Sequence, residues 1–214
     1  MAAPITVKKH AVFAPSSAEA NMLCVGKIAM EHSLPDSSGG AADMGTVRHF
    51  LAALCLSEGH NAADYLNETI ALWRFDDTGE EGEGFASDKP KEAFTYFSEE
   101  IDADFTRMVQ VSVDHARDYA MGADISPEIS VDISEITGED NAHGTIDVLI
   151  DLGDELVIQD HKFGHGEVHA VENYQLRIYA LGSWKRLGSP ARVKQARLVI
   201  SQPRVSEAPS EWVV

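Results

Sequence analysis

"GTIDVLIDLGDELVIQDHKFG" runs from Gly144 to Gly164. Ile146, Val148 and Ile150 alternate with Thr145, Asp147 and Leu149, and a second run, Leu156 to Lys162, follows a turn near Asp154. Alternation in the first run and an apolar start to the second, with a Gly-Asp turn between them, predict two strands joined as a hairpin. The charges are out of place in such an element. Asp147 interrupts an apolar strand, and Asp160 and Lys162 end the next one. Side chains alternate faces along a strand, so Asp160 and Lys162 share a face and His161 points away. Asp147 is expected on the face opposite Ile146 and Val148. Pairing the strands lets one face gather Asp147, Asp160 and Lys162, an arrangement that is costly unless the charges pair or bind something.

Two carboxylates offer hard oxygen ligands to Mg²⁺ or Mn²⁺. Such an ion polarises a phosphate and lowers the pKa of a bound water, and an adjacent lysine can orient that water or stabilise charge on the phosphate. Metal-dependent phosphodiester hydrolysis is the chemistry that suits this set. A surface ion pair between Asp160 and Lys162 would account for D-x-K alone, since such pairs are common and weak. It would leave Asp147 as a turn-proximal acid beside the pair, and the otherwise apolar strand around Asp147 weighs against that.

Upstream of the hairpin the pattern is mostly helical. Ser16 and Ser17 are good N-caps for a first helix running toward His32. LPDSSGGAAD then reads as a loop, and a second helix is predicted from Asp43 to Ser57. Met44, Val47, Leu51 and Leu54 make its core stripe, with His49 off the stripe. A short helix is predicted over Ala62 to Leu66. Phe75 to Glu92 is Gly-rich and acidic and reads as a mobile surface loop. A long helix is predicted from Ser98 to Met121, with Phe105, Met108, Val111, Val113 and Ala116 inward. Ile129, Val131 and Ile133 then alternate with Glu128, Ser130 and Asp132, as a strand would. After the hairpin come a helix from Val171 to Arg186, with Val171, Tyr174, Ile178 and Leu181 as its core stripe, and a strand from Ala196 to Ile200. In that helix Gln175 and Tyr179 are four apart and share a face. They are placed to contact a nucleotide or to hydrogen-bond at the helix boundary.

The expected fold class is α/β (α+β), a central mixed sheet containing a β-meander and flanked by helices. One domain over 1–214 is expected, with a helical part at 14–121 that includes the acidic loop 76–92, and a core of sheet and helix at 122–204.

The 17 basic and 35 acidic residues give a net charge of -18. A body this acidic is not drawn to nucleic acid or anionic membrane by its overall field. Asp76 to Asp104 holds eleven acids against two lysines, half of the excess, so the hairpin is less acidic than the average. Any attraction to DNA must be local, and Lys162, Arg177, Lys185 and Arg186 could form a positive strip. The two cysteines, Cys24 and Cys55, are too few for a disulfide framework and are expected to be buried free thiols. No apolar run approaches a membrane span and MAAPITVKKH lacks the apolar stretch of a signal peptide. A soluble cytoplasmic protein with no membrane partner is expected.

GTID, then D-x-K, then Q-x-x-x-Y, with an upstream G-x-x-x-H supplied by Gly45 and His49, resembles the RecB-like branch of the PD-(D/E)XK nuclease superfamily. APSSAEANMLCVGKIAMEHSLPD, NYQLRIYALG and VISQPR look like a prophage-encoded family of that branch. The resemblance spans Ala14 to Arg204 and implies a restriction-endonuclease-like core. It implies that His49, Asp147, Asp160 and the backbone carbonyl of His161 bind Mg²⁺ or Mn²⁺, that Lys162 is catalytic with Asp147 and Asp160, and that Gln175, Tyr179 and Arg177 contact DNA or order the site. Glu128 is a candidate additional acid, or the polar face of an edge strand. The implied activity is a DNA exonuclease that leaves 5′-phosphates in phage recombination, repair or replication. DNA, single- or double-stranded, is the implied partner. A phage single-strand annealing or binding protein is a further candidate partner, and a homo-oligomer is a candidate assembly. Iron–sulfur members carry three cysteines after the core. Here none follows it, so no iron–sulfur cluster is expected.

His161, His165 and His169 are spaced by four, but Gly164 and Gly166 argue against a helix, and a flexible loop is favoured over a zinc site. His143 is expected at a strand edge. A second class of function is kept beside the nuclease, namely a nuclease-fold protein that has lost catalysis and binds a basic partner through its acidic surface.

Overall fold

The computed structural model describes residues 12–24, 26–31, 39–187 and 191–214. A 3-10 turn at Pro15–Ser17 precedes α1 (Ala18–Leu23), α2 (Lys27–Glu31) and α3 (Gly40–Glu58). A second 3-10 turn, Ala62–Tyr65, leads into β1 (Thr69–Arg74), β2 (Glu81–Phe85) and β3 (Phe94–Glu100). Then come α4 (Ala103–Ala120), β4 (Ile125–Asp132), α5 (Ser134–Thr137), β5 (His143–Asp151) and β6 (Glu155–His161). α6 (Tyr174–Arg186), β7 (Gln195–Ser201) and β8 (Ser210–Val213) complete the chain.

The fold is mixed α/β with two sheets, in the expected class. The larger sheet has the order β4-β5-β6-β7-β8 and the smaller β2-β1-β3. β4, β5 and β6 form the antiparallel meander, and β7 lies parallel to β6. A parallel neighbour needs a crossover, which α6 supplies. α6 covers one face of the large sheet, where Leu176 and Tyr179 meet Ile146, Ile158 and Leu198. α4 covers the other, where Ala116 and Ala120 meet Val148, Ile150, Val157 and Val199. Val47 and Leu51 of α3 pack with Phe105 and Val109 of α4 beneath Ile70 and Leu72 of the small sheet. Arg48 of α3, buried against the Phe105 ring, pairs with Glu99 of β3 and so ties that sheet to the helix carrying His49.

The small sheet corrects the reading of Phe75 to Glu92 as a mobile loop. β2 has the sequence EGEGF and pairs antiparallel with β1. Its glycines serve packing. The Trp73 indole lies over them, and a Cβ on Gly82 would fall 2.5 Å from Trp73 Nε1. Alternation then sends Glu83, opposite Leu72, to the other face. Acidic and glycine-rich composition hides the strand, because its two faces carry charge and bare backbone in place of apolar side chains.

Other boundaries move for local reasons. Ser98 to Glu100 belong to β3, and α4 begins only after Asp102, whose side chain accepts a hydrogen bond from the Phe105 N–H at 2.8 Å. The first helix is split, with Cys24 in extended backbone between α1 and α2, and its expected end at His32 lies outside the described residues. So does most of the LPDSSGG loop, whereas Gly40 to Asp43 are already helical. α6 starts at Tyr174, because Asn173 caps it by accepting from the Leu176 N–H. Its buried face is Leu176, Tyr179, Ala180 and Ser183, while Val171, Tyr174 and Leu181 of the expected stripe are exposed. Cys55 is buried as expected but Cys24 is exposed. β8, unanticipated, pairs with β7. Among the described residues no helix is long and apolar enough to cross a membrane.

Candidate metal centre

The hairpin forms, with one change in its face pattern. Ile146 packs under α6 but Val148 packs under α4, so the alternation breaks at Asp147. On β4, Glu128 adopts a left-handed φ of 51° between Pro127 and Ile129, which remain opposite Val148 and Ile146. Both irregularities fall at the same rung of the ladder. A left-handed non-glycine residue costs ~1–3 kcal/mol and persists only where its surroundings hold it. Pro127 has no N–H to give the ladder and is tolerated because β4 is an edge strand. The break turns Asp147 and Glu128 out of the sheet toward α3.

His49 meets them from α3, its Nδ1 3.3 Å from Asp147 Oδ2. One donor atom each from His49, Glu128 and Asp147 lies within 4.8 Å of the other two. Asp147 Oδ2 also accepts the His161 backbone N–H at 2.6 Å, which holds the carboxylate to the end of β6. A cleft of about 360 Å³ opens beside the cluster, walled by Gly45, His49, Glu83, Glu128, Thr145 and Asp147 among others. Gly45, one turn before His49, has open space where a Cβ would stand. Glu83 was not singled out by the sequence reading. The EGEG alternation opposite Trp73 is the signal that would have found it.

Behind the cleft lies a second group. Lys162 Nζ is 2.7 Å from Asp160 Oδ2 and donates to Gln175 Oε1 at 3.2 Å. Gln175 Nε2 donates to Asp160 Oδ1 at 2.7 Å and stands 3.5 Å from the Tyr179 hydroxyl. Asp160 is almost fully enclosed, whereas the Lys162 side chain keeps 28% exposure. Tyr179 is buried against Gly144, where a Cβ would come within 2.7 Å of its ring. Gln175 thus links Asp160, Lys162 and Tyr179 in the interior. Asp160 is not among the three clustered donors. His161 faces α4, where its ring lies 3.4 Å from Gln159 Nε2. Burial drops its pKa to about 4, which keeps it neutral.

The titration of these groups follows from their neighbours. Burial works to strip the His49 proton, but the Asp147 carboxylate outweighs it and raises the imidazole to about 9. Burial opposes ionisation of Asp147, yet His49 and the His161 N–H hold it down at about 2. Desolvation and then Asp147 lift Glu128 to about 7, although the residue is exposed at the mouth of the cleft. Burial lifts Asp160 to about 6 against the pull of Lys162. Lys162 is raised in turn, because Asp160 outweighs the cost of its own desolvation. At neutral pH the cluster pairs one cationic imidazole with Asp147 and leaves Glu128 half-ionised beside them.

The donor set fits a divalent cation. One imidazole and two carboxylates are hard or borderline ligands of the kind Mn²⁺ and Mg²⁺ accept. Ligands ~2.1 Å from one ion stand ~3.0 Å apart when adjacent and at most ~4.2 Å apart when opposite, so donors within 4.8 Å of one another must draw together by about half an ångström or more to share an ion. His49 is the opposite charge felt by Glu128 and Glu83, and neither carboxylate makes a side-chain hydrogen bond or ion pair among the described residues.

The remaining expected residues lie elsewhere. Arg177 is on the outer side of α6, 3.6 Å from Glu172 and over the Tyr174 ring. Lys185 pairs with Glu135, and Arg186 donates to the Ser130 carbonyl at 2.7 Å, beside a larger cavity of about 570 Å³ between β4 and α6. The positive strip is thus dispersed into local pairs. His165 and His169 join no cluster of three metal-ligand residues among the described residues, and His143 opens β5.

Comparison with solved structures finds a likeness to one described as "Crystal structure of SSO0001", at 12% identity and a TM-score of 0.29. It covers 49% of this chain, and the chain spans about half the length of that protein, 48%. A family model described as "Protein of unknown function (DUF2800)" matches residues 10–214, and the chain belongs to that family.

Proposed function

We propose that the protein is a Mg²⁺- or Mn²⁺-dependent deoxyribonuclease of the PD-(D/E)XK type, an exonuclease leaving 5′-phosphates in phage or prophage DNA recombination, repair or replication. The observation that carries the reading is the three-donor cluster His49–Glu128–Asp147 beside a partly exposed Lys162 held by buried Asp160. The order of His49, Asp147, Asp160, Lys162, Gln175 and Tyr179 along the chain, which resembles the RecB-like branch, supports it.

When bound, a divalent ion would polarise the phosphate and lower the pKa of a coordinated water. His49, Glu128 and Asp147 would hold it. The His161 N–H keeps Asp147 aimed at the cleft. Asp160 and Gln175 fix the Lys162 ammonium from behind, leaving its exposed side to neutralise charge that builds on the phosphate in the transition state. In this role Gln175 and Tyr179 position Lys162, and Arg177 stands outside the site.

Incubation of labelled single- and double-stranded DNA with Mn²⁺ tests the proposal. Wild type should degrade DNA and Lys162→Ala should lose at least ~100-fold, the scale of one transition-state donor. Equal degradation by the two would refute it.

A second reading is favoured by one observation. The net charge is -18, and the cleft's cations are already paired, His49 with Asp147 and Lys162 with Asp160. A nuclease-fold protein binding a basic partner would need no metal. Calorimetry showing no heat with Mn²⁺ or Mg²⁺ would favour it over the nuclease.

A further inference from the structure

The small sheet packs against α3, and its inner face meets the candidate metal centre. Trp73 covers Gly82 and Gly84 on the outer face of β2. The residue between them, Glu83, is therefore fixed on the inner face, opposite Leu72, which packs against the α3 core. Its carboxylate walls the same cleft as His49, Glu128 and Asp147. The Arg48–Glu99 pair ties β3 to α3 one residue before His49, so the sheet and the histidine are held as one unit. The Glu83 side chain makes no hydrogen bond or ion pair among the described residues, and it is not in the group of three donors within 4.8 Å. It stands beside the cluster, beyond direct ligation but on the wall where ligand waters would lie. A cleft of about 360 Å³ has room for several waters at ~30 Å³ each.

We propose that Glu83 is a positioning residue of the metal centre, an outer carboxylate that accepts hydrogen bonds from waters on a divalent cation seated on His49, Glu128 and Asp147. This inference rests on the proposed cation site. The small sheet would then be part of that site, and the EGEG strand would present one acid while its glycines lie against Trp73. Outer partners of this kind tune metal affinity by ~10–100-fold.

The experiment is calorimetric titration of Mn²⁺ into the full-length wild type, Glu83→Gln, Glu81→Gln and His49→Ala, with thermal unfolding of each metal-free protein. Glu81 lies on the same strand face, opposite Arg74, but does not line the cleft, so Glu81→Gln removes the same charge away from it. Glu83→Gln should bind Mn²⁺ at least ~10-fold more weakly with unchanged stoichiometry and unfolding temperature. Glu81→Gln should bind within about twofold of wild type. If Glu83→Gln binds as wild type does while His49→Ala does not bind, Glu83 is idle and the cation site stands. Equal weakening by Glu81→Gln and Glu83→Gln would reduce the effect to general charge and overturn the positioning role. If wild type itself takes up no Mn²⁺, the cation site falls and this inference with it.

Discussion

Metal binding at the centre should release protons, by an amount set by its neighbours. His49 is held at about 9 by Asp147, and Glu128 at about 7. A ligand imidazole must be neutral and a ligand carboxylate ionised. At pH 7 about 1% of His49 is neutral, so apparent affinity is ~100-fold below its alkaline plateau, and Glu128 contributes a further factor of ~2. Affinity should therefore climb about one decade per pH unit from 7 to 8.5, and more steeply below 7, where Glu128 also carries a proton. Calorimetric titration of Mn²⁺ in two buffers of different ionisation enthalpy reads the release directly. About 1.5 protons per ion are expected at pH 7, and fewer at pH 8.5. His49→Ala should bind weakly with the rise above pH 7 removed. Affinity that stays flat from pH 6 to 8.5, or a release near zero, would refute the assignment of His49 as a ligand displaced from its ion pair with Asp147.

Four further outcomes are expected. Asp147→Asn should lower stability at pH 7 by on the order of 2 kcal/mol in urea unfolding, because its folded pKa is depressed from 3.8 to about 2. That contribution is present above pH 3.8 and lost as pH falls through 2. Asp160 has the opposite sign. Its pKa is raised to about 6, so its contribution is full below 3.8 and lost as pH rises through 6. Asp160→Asn should keep or raise the urea midpoint at pH 7.5 while abolishing DNA cleavage. Gly82→Val should drive a side chain into Trp73 and cost ~1–3 kcal/mol, read as a lower unfolding temperature with red-shifted tryptophan emission. Gln175→Ala should cut the rate at saturating DNA more than it weakens DNA binding, because Gln175 touches Asp160 and Lys162 behind the cleft.

The large sheet was legible because its strands alternate or run apolar between clear turns, and Asp160 and Lys162 share a face as alternation implied, while Gln175 joins them, a contact that the family resemblance and not the spacing suggested. Asp147 reached the site by a different route. Strict alternation put Ile146 and Val148 on one face, and the break opposite Glu128 separates them. Nothing in the period of β5 announces that break, although Pro127 before Glu128 marks the edge strand where it occurs. The small sheet was hidden for a compositional reason. β2 packs with glycine under Trp73 and acids over a cleft, so hydropathy reads it as a loop. The core stripe of α6 was misplaced because helical spacing alone offered Val171, Tyr174, Ile178 and Leu181 as well as Leu176, Tyr179 and Ala180. Burial of Tyr179 against Gly144, a contact set by tertiary packing, decided between them.

Diffraction from crystals soaked in Mn²⁺, recorded at the manganese absorption edge, would locate the ion without reference to activity. One anomalous peak is expected ~2.2 Å from an imidazole nitrogen of His49 and from carboxylate oxygens of Glu128 and Asp147. Lys162 should remain on Asp160 behind it. The absence of a peak in that cleft at saturating Mn²⁺, or a peak confined to other acids such as Asp76 and Asp77, would contradict the metal centre and the nuclease built on it.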